Sequence, residues 1–173
     1  AFIGVLAGDA MKSALFGPVP VTIAWLVGGV LLLLWKPTVG SVALHEMPIR
    51  AAFIIGCAQS LTLWPGVSRS LVTLIAALAV GLSMSAAIEF SFLLGLITLS
   101  SATALDVTKH GSELVDQFGI LAPSVGLVCA FITAVIAVKW MVGYLESHSL
   151  RVFGWYRLAI GTLCVVLLAT NVL

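Results

Sequence analysis

Charged side chains are the scarcest feature of this sequence. Lysine, arginine, aspartate and glutamate together make up 9% of the 173 residues, against about 25% in a soluble domain. Hydrophobic residues make up 61%, and the mean hydropathy is +1.21. A water-soluble core of this size does not need so many apolar residues, so the surplus must face lipid. This composition excludes a soluble enzyme, a disordered chain and a nucleic-acid-binding protein.

Cysteine is also scarce, and its placement argues against two kinds of site. Cys57, Cys129 and Cys164 lie far apart in apolar segments, and none belongs to a Cys-x-x-Cys pair. An odd count without such spacing argues against a disulfide framework and against a metal site. We interpret all three as small side chains inside the protein or facing lipid.

Long apolar runs with few charged residues make up most of the sequence. A membrane-spanning helix needs about 20 apolar residues, so the chain has room for about five to seven full or partial crossings. The predicted spans are Pro18–Trp35, Met84–Val107, Phe118–Val138 and Leu150–Leu173. We therefore expect an all-α integral membrane protein, a multi-pass helical bundle that forms one membrane domain over residues 1–173.

One apolar region is interrupted near its middle. Pro65 and Gly66 stop its first helix, and the piece after them, Ser68–Val80, is too short at about 1.5 Å per residue to cross a hydrocarbon core of about 30 Å. The pattern predicts a re-entrant helix hairpin over about residues 48–81. Irregular backbone at membrane depth is tolerated only where it is buried in protein or lines a wet cavity, so this break is a candidate functional site.

The residues after the break suit phosphate. Ser68 is a natural N-cap for the second helix, whose first N–H groups and dipole favour an anion. Arg69 adds a planar guanidinium that fits phosphate oxygens, and Thr73 lies one turn further along the same face. Gly66 and the hydroxyl of Ser70 complete the predicted phosphate-binding set. The structural alternative is that Arg69 snorkels or forms an ion pair while the hydroxyls only pack between helices.

Two other charged residues lie deep inside apolar segments, away from the segment ends, and are predicted to support the site. Glu89 either pairs with Arg69 or Arg157, or contributes to binding by holding Arg69 or a metal ion. One carboxylate cannot form a metal site alone, so the metal ligands are not assigned. Arg157 is interpreted as structural, with a second phosphate contact as the alternative.

The remaining polar and small residues are assigned structural roles. The hydrophilic stretch Lys109–Gln117 is predicted to be a loop, and Gly28-Gly29 is predicted to let two helices pack closely. Three histidines fall in predicted loops and are interpreted as solvated: His45, His110 and His148.

The distribution of basic residues predicts an orientation. If the hairpin begins and ends on one side, that side collects Lys36, Arg50, Lys139 and Arg151. The opposite side collects Lys12 and Lys109. The excess of basic residues predicts that the first side is cytoplasmic and that the break opens to the extracytoplasmic side.

These residues resemble the undecaprenyl-diphosphate phosphatase family, the BacA-type bacitracin-resistance proteins. The matching segments are Thr62–Ser70 with Thr73, then Glu89–Leu94 with Ala102–Asp106, and more weakly Tyr156-Arg157. The resemblance covers essentially the whole chain but only about the C-terminal two-thirds of the family's architecture. The chain also opens inside an apolar segment without an initiator methionine. We therefore expect an N-terminally incomplete sequence.

The resemblance implies a hydrolase of the bacterial plasma membrane with its active site facing the extracytoplasmic side. Such an enzyme converts the diphosphate of the C55 polyprenyl carrier to the monophosphate, which recycles the carrier for peptidoglycan and cell-wall synthesis and underlies bacitracin resistance. The implied partners are the polyprenyl diphosphate lipid and the bilayer, and a homodimer stays open. The implied cofactor is a divalent cation, Mg²⁺ or Ca²⁺, held mainly by the missing N-terminal half. By carry-over, the resemblance implies a catalytic set of three residues, in which Arg69 neutralises the diphosphate while Ser68 and Thr73 hydrogen-bond its oxygens.

The sequence also departs from the family. Leu71 stands where the family usually has glycine, and we expect the larger side chain to crowd the approach of phosphate. Ile97 stands where the family usually has proline, and we expect this change to straighten that helix. The family's paired glutamates and its Ser-Ser-x-Gly-His stretch are absent, because Ser100-Ser101 is followed by Ala-Thr. The chain therefore carries half of a site. The alternatives are a polyprenyl-phosphate transporter or flippase, or an inactive homologue.

Overall fold

Six α-helices account for most of the chain that the computed structural model describes, which is residues 16–36 and 40–170. They are α1 Pro18–Leu34, α2 Ile49–Gln59, α3 Arg69–Ala79, α4 Met84–Phe118, α5 Leu121–Ser147 and α6 Arg151–Ala169. Short 3₁₀ turns, Leu44–Glu46 and Ser60–Leu63, precede α2 and extend it. The expected all-α membrane protein is confirmed, since α4, α5 and α6 are each long and apolar enough to cross a membrane.

The contacts divide these helices into two compact units. The first unit contains the described residues up to Ser91 together with those from Ser149 onwards. It holds α1, α2, α3 and α6, together with the start of α4. The second unit is Phe92–His148, which holds the rest of α4 and all of α5.

In the first unit, α1 packs along α6 through glycines. A Cβ atom added to Gly29 would lie 3.1 Å from the carbonyl oxygen of Gly154, and one added to Gly154 would lie 3.1 Å from that of Gly29. The two backbones therefore approach more closely than larger residues would allow. The predicted packing role of Gly29 is confirmed. With 17 residues, α1 is one residue shorter than the predicted span, and it is about 26 Å long.

The region predicted to be a hairpin forms two short helices, α2 and α3, which pack against each other. Ile55 of α2 and Ala77 and Leu78 of α3 are almost completely buried. Because α2 and α3 have 11 residues each, each is about 17 Å long and far too short to span a bilayer. The helical pattern of the prediction is thus confirmed, whereas re-entry into a membrane stays a prediction.

The end of α3 shows why the pair stops near residue 81. The N–H of Gly81 bonds to the carbonyl of Leu78 at 3.0 Å, and that of Leu82 to Ala77 at 3.2 Å, which is a Schellman cap. Gly81 has φ +95, a value that favours glycine. Its carbonyl then accepts a hydrogen bond from the N–H of Val42 at 3.2 Å, which ties the loop before α2 to the end of α3.

The second unit corrects the predicted loop at Lys109–Gln117. These residues are helical, and α4 continues without a break for 35 residues until Phe118. A polar side chain does not end a helix, and the imidazole of His110 lies 3.2 Å from the carboxylate of Asp106, one turn earlier. The helix ends only where Gly119 adopts φ +68. The loop assignments of Lys109–Gln117 and His110 are therefore wrong, whereas the unbroken helix at Ile97 agrees with the absent proline.

The fifth helix is also longer than its predicted span. It begins at Leu121 and continues past Lys139 to Ser147. Near its end Trp140 stacks on Tyr144 at 5.4 Å, and Tyr144 stacks on His148 at 4.4 Å between ring centroids. His148, interpreted as a loop residue, is the C-cap of this helix. No residue of the helix's apolar window is buried, as expected for side chains that face lipid.

Candidate functional site

The helix break at Pro65-Gly66 is a tight turn. The N–H of Val67 donates to the carbonyl of Trp64 at 3.1 Å, with proline second and glycine third in the turn. Gly66 has φ +90, and a turn with proline followed by such a glycine is the type II pattern. The predicted break is therefore confirmed, and its cause is local.

The turn lies directly against α1. A Cβ atom on Gly66 would lie 2.9 Å from the carbonyl oxygen of Val21 and 3.1 Å from the Cβ of Ala24. The indole N–H of Trp64 donates to the carbonyl of Pro20 at 3.1 Å. Glycine is thus required at position 66 for both its backbone conformation and its close contact with α1.

Ser68 occupies the N-cap position of α3, as predicted. Its backbone is extended, with ψ 116, and its carbonyl accepts the N–H of Val72 at 3.0 Å. Its side chain forms no capping hydrogen bond. Because the first N–H groups of a helix have no partner within that helix, the start of α3 offers backbone donors beside an unused hydroxyl.

The other predicted phosphate-binding residues follow along the first turns of α3. Arg69 is partly buried and already takes part in an interaction, and Ser70 is exposed. Thr73 is 2% exposed, and its hydroxyl lies 3.0 Å from the carbonyl oxygen of Arg69 and 3.1 Å from that of Ser70. That hydroxyl donates its hydrogen to its own helix, so it retains only acceptor capacity unless it rotates. The role of Thr73 as a donor to phosphate stays a prediction.

Arg157 is brought to the break from the far end of the chain. It is 8% exposed, and its Nη2 donates to the carbonyl of Gly66 at 2.8 Å and to that of Ala24 at 3.1 Å. The guanidinium carbon lies 5.3 Å from the centre of the Trp25 ring, within cation–π range. Of the two roles considered for Arg157, these contacts are those of a structural residue.

Glu89 is not brought to either arginine. It lies on an exposed part of α4, and within residues 16–36 and 40–170 it forms no ion pair with Arg69 or Arg157. Instead of pairing with Glu89, Arg157 donates through Nη2 to two backbone carbonyls and lies over an aromatic ring, and its Nε has no hydrogen-bond partner among the described residues. A supporting role of Glu89 stays a prediction. Ser91, which the prediction did not single out, is 6% exposed and its hydroxyl has no partner among the described residues.

A cavity of about 300 Å³ lies beside the break. Its walls come from α1, from the 3₁₀ turn and the break, from α3 and from α6. The lining residues are Ile23, Ala24, Val27, Gly28, Leu31, Leu61, Trp64, Val67, Ser68, Leu71, Val72, Ile75 and Arg157. Ser68 and Arg157 bring polar groups to walls that are otherwise almost entirely apolar. The cavity suits a hydrocarbon group with a polar end near Ser68, and Leu71, one of the departures from the family, is among its lining residues.

The described residues do not form a metal site by themselves. Within that part of the chain, no group of three or more histidine, cysteine, aspartate or glutamate side chains lies close enough together to hold an ion. A hard cation such as Mg²⁺ or Ca²⁺ needs several oxygen ligands. The divalent cation implied by the resemblance therefore does not fit these residues alone.

The fold and the site define a multi-pass α-helical membrane protein with a broken helix pair beside an apolar cavity. The chain belongs to the bacitracin resistance protein BacA family, whose profile matches residues 1–163. The resemblance seen in the motifs around Arg69 and Glu89 is thereby confirmed.

Curated relatives cover almost the whole chain. It is 41% identical over 170 residues to a protein named undecaprenyl-diphosphatase from Sorangium cellulosum. The aligned region covers 94% of this chain and 55% of that relative. The proteins of the same name from Nitrosomonas europaea and Aquifex aeolicus are 41% and 40% identical, covering 96% and 92% of this chain and 62% and 64% of their own lengths. The chain thus spans less than two thirds of the length of these relatives. Nothing in the comparisons or the described residues supports the homodimer that the sequence left open.

Proposed function

We propose that this protein hydrolyses undecaprenyl diphosphate to undecaprenyl phosphate, from the extracytoplasmic side of the bacterial plasma membrane. The names of relatives about 40% identical over nearly all of the chain support this activity. One structural observation carries the proposal. The N-terminus of α3, with Ser68 and Arg69, begins directly beside an apolar cavity, and Ser68 belongs to both. A charged headgroup on a hydrocarbon chain has the chemistry that this juxtaposition accommodates.

The chemistry assigned to these residues is electrostatic. In this hydrolysis the oxygen of water forms a new bond to one phosphorus of the diphosphate, and the bond from that phosphorus to the bridging oxygen breaks. The products are undecaprenyl phosphate and inorganic phosphate. Negative charge on the phosphoryl oxygens must be neutralised as the bond breaks. Arg69 supplies a positive charge with paired donors, and the first N–H groups of α3 and the hydroxyl of Ser68 supply further hydrogen bonds. No nucleophile, base or metal-dependent step is assigned to the described residues.

The test is hydrolysis by the protein at its natural length, purified in detergent with undecaprenyl diphosphate and assayed for phosphate release. Arg69→Ala should reduce kcat/KM at least a hundredfold, since loss of a transition-state donor costs about 3 kcal/mol. Arg69→Lys should recover only part of the loss, because the bidentate fork is missing. Arg50→Ala is the matched control, because Arg50 is exposed at the start of α2. It should stay within about twofold of the wild type.

The alternatives give different results. Transfer of a labelled polyprenyl phosphate across proteoliposomes without phosphate release would identify a transporter instead of a phosphatase. Neither hydrolysis nor transfer by the wild type would indicate an inactive homologue. Near-normal turnover in Arg69→Ala would remove Arg69 from the catalytic set.

A further inference from the structure

We propose that Arg157 is a positioning residue for the helix break, acting through the carbonyl of Gly66 and not by contact with phosphate. The effect of Arg157 on catalysis rests on the proposed function. Its effect on the helix break rests only on the contacts that Arg157 makes. Arg157 lies on α6, 91 residues after Gly66, and its Nη2 donates at 2.8 Å to the carbonyl oxygen of that glycine.

The guanidinium is held in place by two residues of α1. A Cβ added to Gly28 would lie 2.9 Å from Nη2 and 3.1 Å from Nε. The centre of the Trp25 ring lies 5.3 Å from the guanidinium carbon. A third contact, from Nη2 to the carbonyl of Ala24 at 3.1 Å, joins the same group to α1. Gly28 thus makes room for a side chain that connects α6, α1 and the break.

The energetics indicate that this arrangement does more than stabilise the fold. A buried cation without a carboxylate partner is costly, and Nε has no hydrogen-bond partner among the described residues. An apolar side chain would fill the same space without that cost. What an apolar side chain cannot do is hold the Gly66 carbonyl, and through it the turn that sets where α3 begins.

The position of the turn matters because α3 starts at Arg69, two residues after Val67, the last residue of the turn. The donors proposed to stabilise the diphosphate are the first N–H groups of α3, the hydroxyl of Ser68 and the guanidinium of Arg69. A misplacement of about 1 Å can cost about a hundredfold in rate even when no reacting group is altered. Arg157 therefore contributes to rate by fixing this set of donors, whereas a group that held the substrate equally in its ground state and its transition state would contribute only to binding.

Two variants test the inference without the same side effects. Arg157→Lys keeps the positive charge but loses the planar fork. Gly28→Ala leaves Arg157 unchanged and displaces its guanidinium with the added methyl group, while alanine is favoured over glycine in a helix by about 1 kcal/mol. Gly56→Ala is the matched control, because Gly56 lies in α2 with no atom within 4 Å of an added Cβ.

Two measurements are made on the protein at its natural length. The first is hydrogen exchange at the amides of Val67 and Val72, which are bonded to the carbonyls of Trp64 and Ser68. Both should exchange about tenfold faster in Arg157→Lys and Gly28→Ala. The second is steady-state hydrolysis of undecaprenyl diphosphate, where kcat should fall about tenfold and KM change less than about twofold. Gly56→Ala should match the wild type in both.

Unchanged exchange in both variants would overturn the inference, whatever happens to turnover. Faster exchange with normal kcat would overturn it too, because the position of the break would then not matter. A rise in KM with kcat preserved would also overturn it, because Arg157 would then contribute to substrate binding and not to the position of the donors. If the wild type hydrolyses nothing, the proposed function fails, and the exchange rates still decide whether Arg157 holds the break.

Discussion

Gly29 of α1 and Gly154 of α6 face each other at a helix crossing where each backbone contacts the other. A Cβ atom on Gly154 would lie 3.1 Å from the carbonyl oxygen of Gly29 and 2.9 Å from Cδ2 of Leu33. In a membrane, where burial in lipid already satisfies apolar side chains, such close packing is a main source of helix association. This crossing therefore holds α6, which carries Arg157, against α1, which lies beside the break.

Gly154→Leu should weaken the packing of α1 on α6. The added side chain must displace either Leu33 or the backbone of α1, at a cost of about 1–3 kcal/mol. The expected result is a lower midpoint of thermal unfolding in detergent, followed by circular dichroism. Gly126→Leu is the control, because nothing lies within 4 Å of a Cβ at Gly126. Equal stability of both variants would mean that this crossing does not depend on glycine.

Gly66→Ala should disturb the break without removing any polar group. Alanine at φ +90 is strained, and its Cβ would lie 2.9 Å from the carbonyl oxygen of Val21. We expect a loss of about 1–3 kcal/mol in stability, with hydrolysis reduced more strongly than in Gly81→Ala. Gly81 also has a positive φ, but an added Cβ there meets no atom within 4 Å. Hydrolysis that falls equally in both variants would show that backbone strain, and not the contact with α1, is responsible.

The orientation predicted from the basic residues can be measured with cysteine labelling. Val67→Cys, in a background without the three native cysteines, should react with an impermeant thiol reagent added outside intact cells, because Val67 lines the cavity beside the break. His45→Cys should react only after permeabilisation, since His45 is exposed in the turn before α2, on the side predicted to be cytoplasmic. Reversed labelling of the two positions would invert the topology.

Residues 1–173 alone, purified in detergent, are expected not to hydrolyse undecaprenyl diphosphate in the presence of Mg²⁺ or Ca²⁺. Phosphoryl transfer needs charge neutralisation together with a nucleophile and a proton acceptor. Within residues 16–36 and 40–170 the structure offers Arg69 for the first, but no cluster of metal-binding side chains. Co-expression with the N-terminal segment of a longer relative, such as the Sorangium cellulosum protein, should restore hydrolysis. Metal-dependent release of phosphate by the chain alone, abolished in Arg69→Ala, would show that the site is complete here.

The local parts of the candidate site could be predicted because they follow from short-range physics. Pro65 and Gly66 end a helix through their own backbone restrictions, and Ser68 takes the N-cap position because the next helix begins directly after it. The apolar runs predicted a helical membrane protein because lipid requires both apolar side chains and internally paired backbone groups. The polar stretch after Val107 was misread, because polarity marks contact with water and does not by itself end a helix.

The amino-acid sequence by itself determined the helical class, the position of the break and the start of α3, because each depends on residues only a few positions apart. The tertiary structure alone decided what holds the break in place. Trp64 donates to Pro20 across 44 positions and Arg157 to Gly66 across 91. Such contacts follow from the close packing of α1 against α6, and residue spacing along the sequence does not predict that packing. For the same reason the sequence left Arg157 between two roles, since its partners are carbonyl groups that every residue possesses.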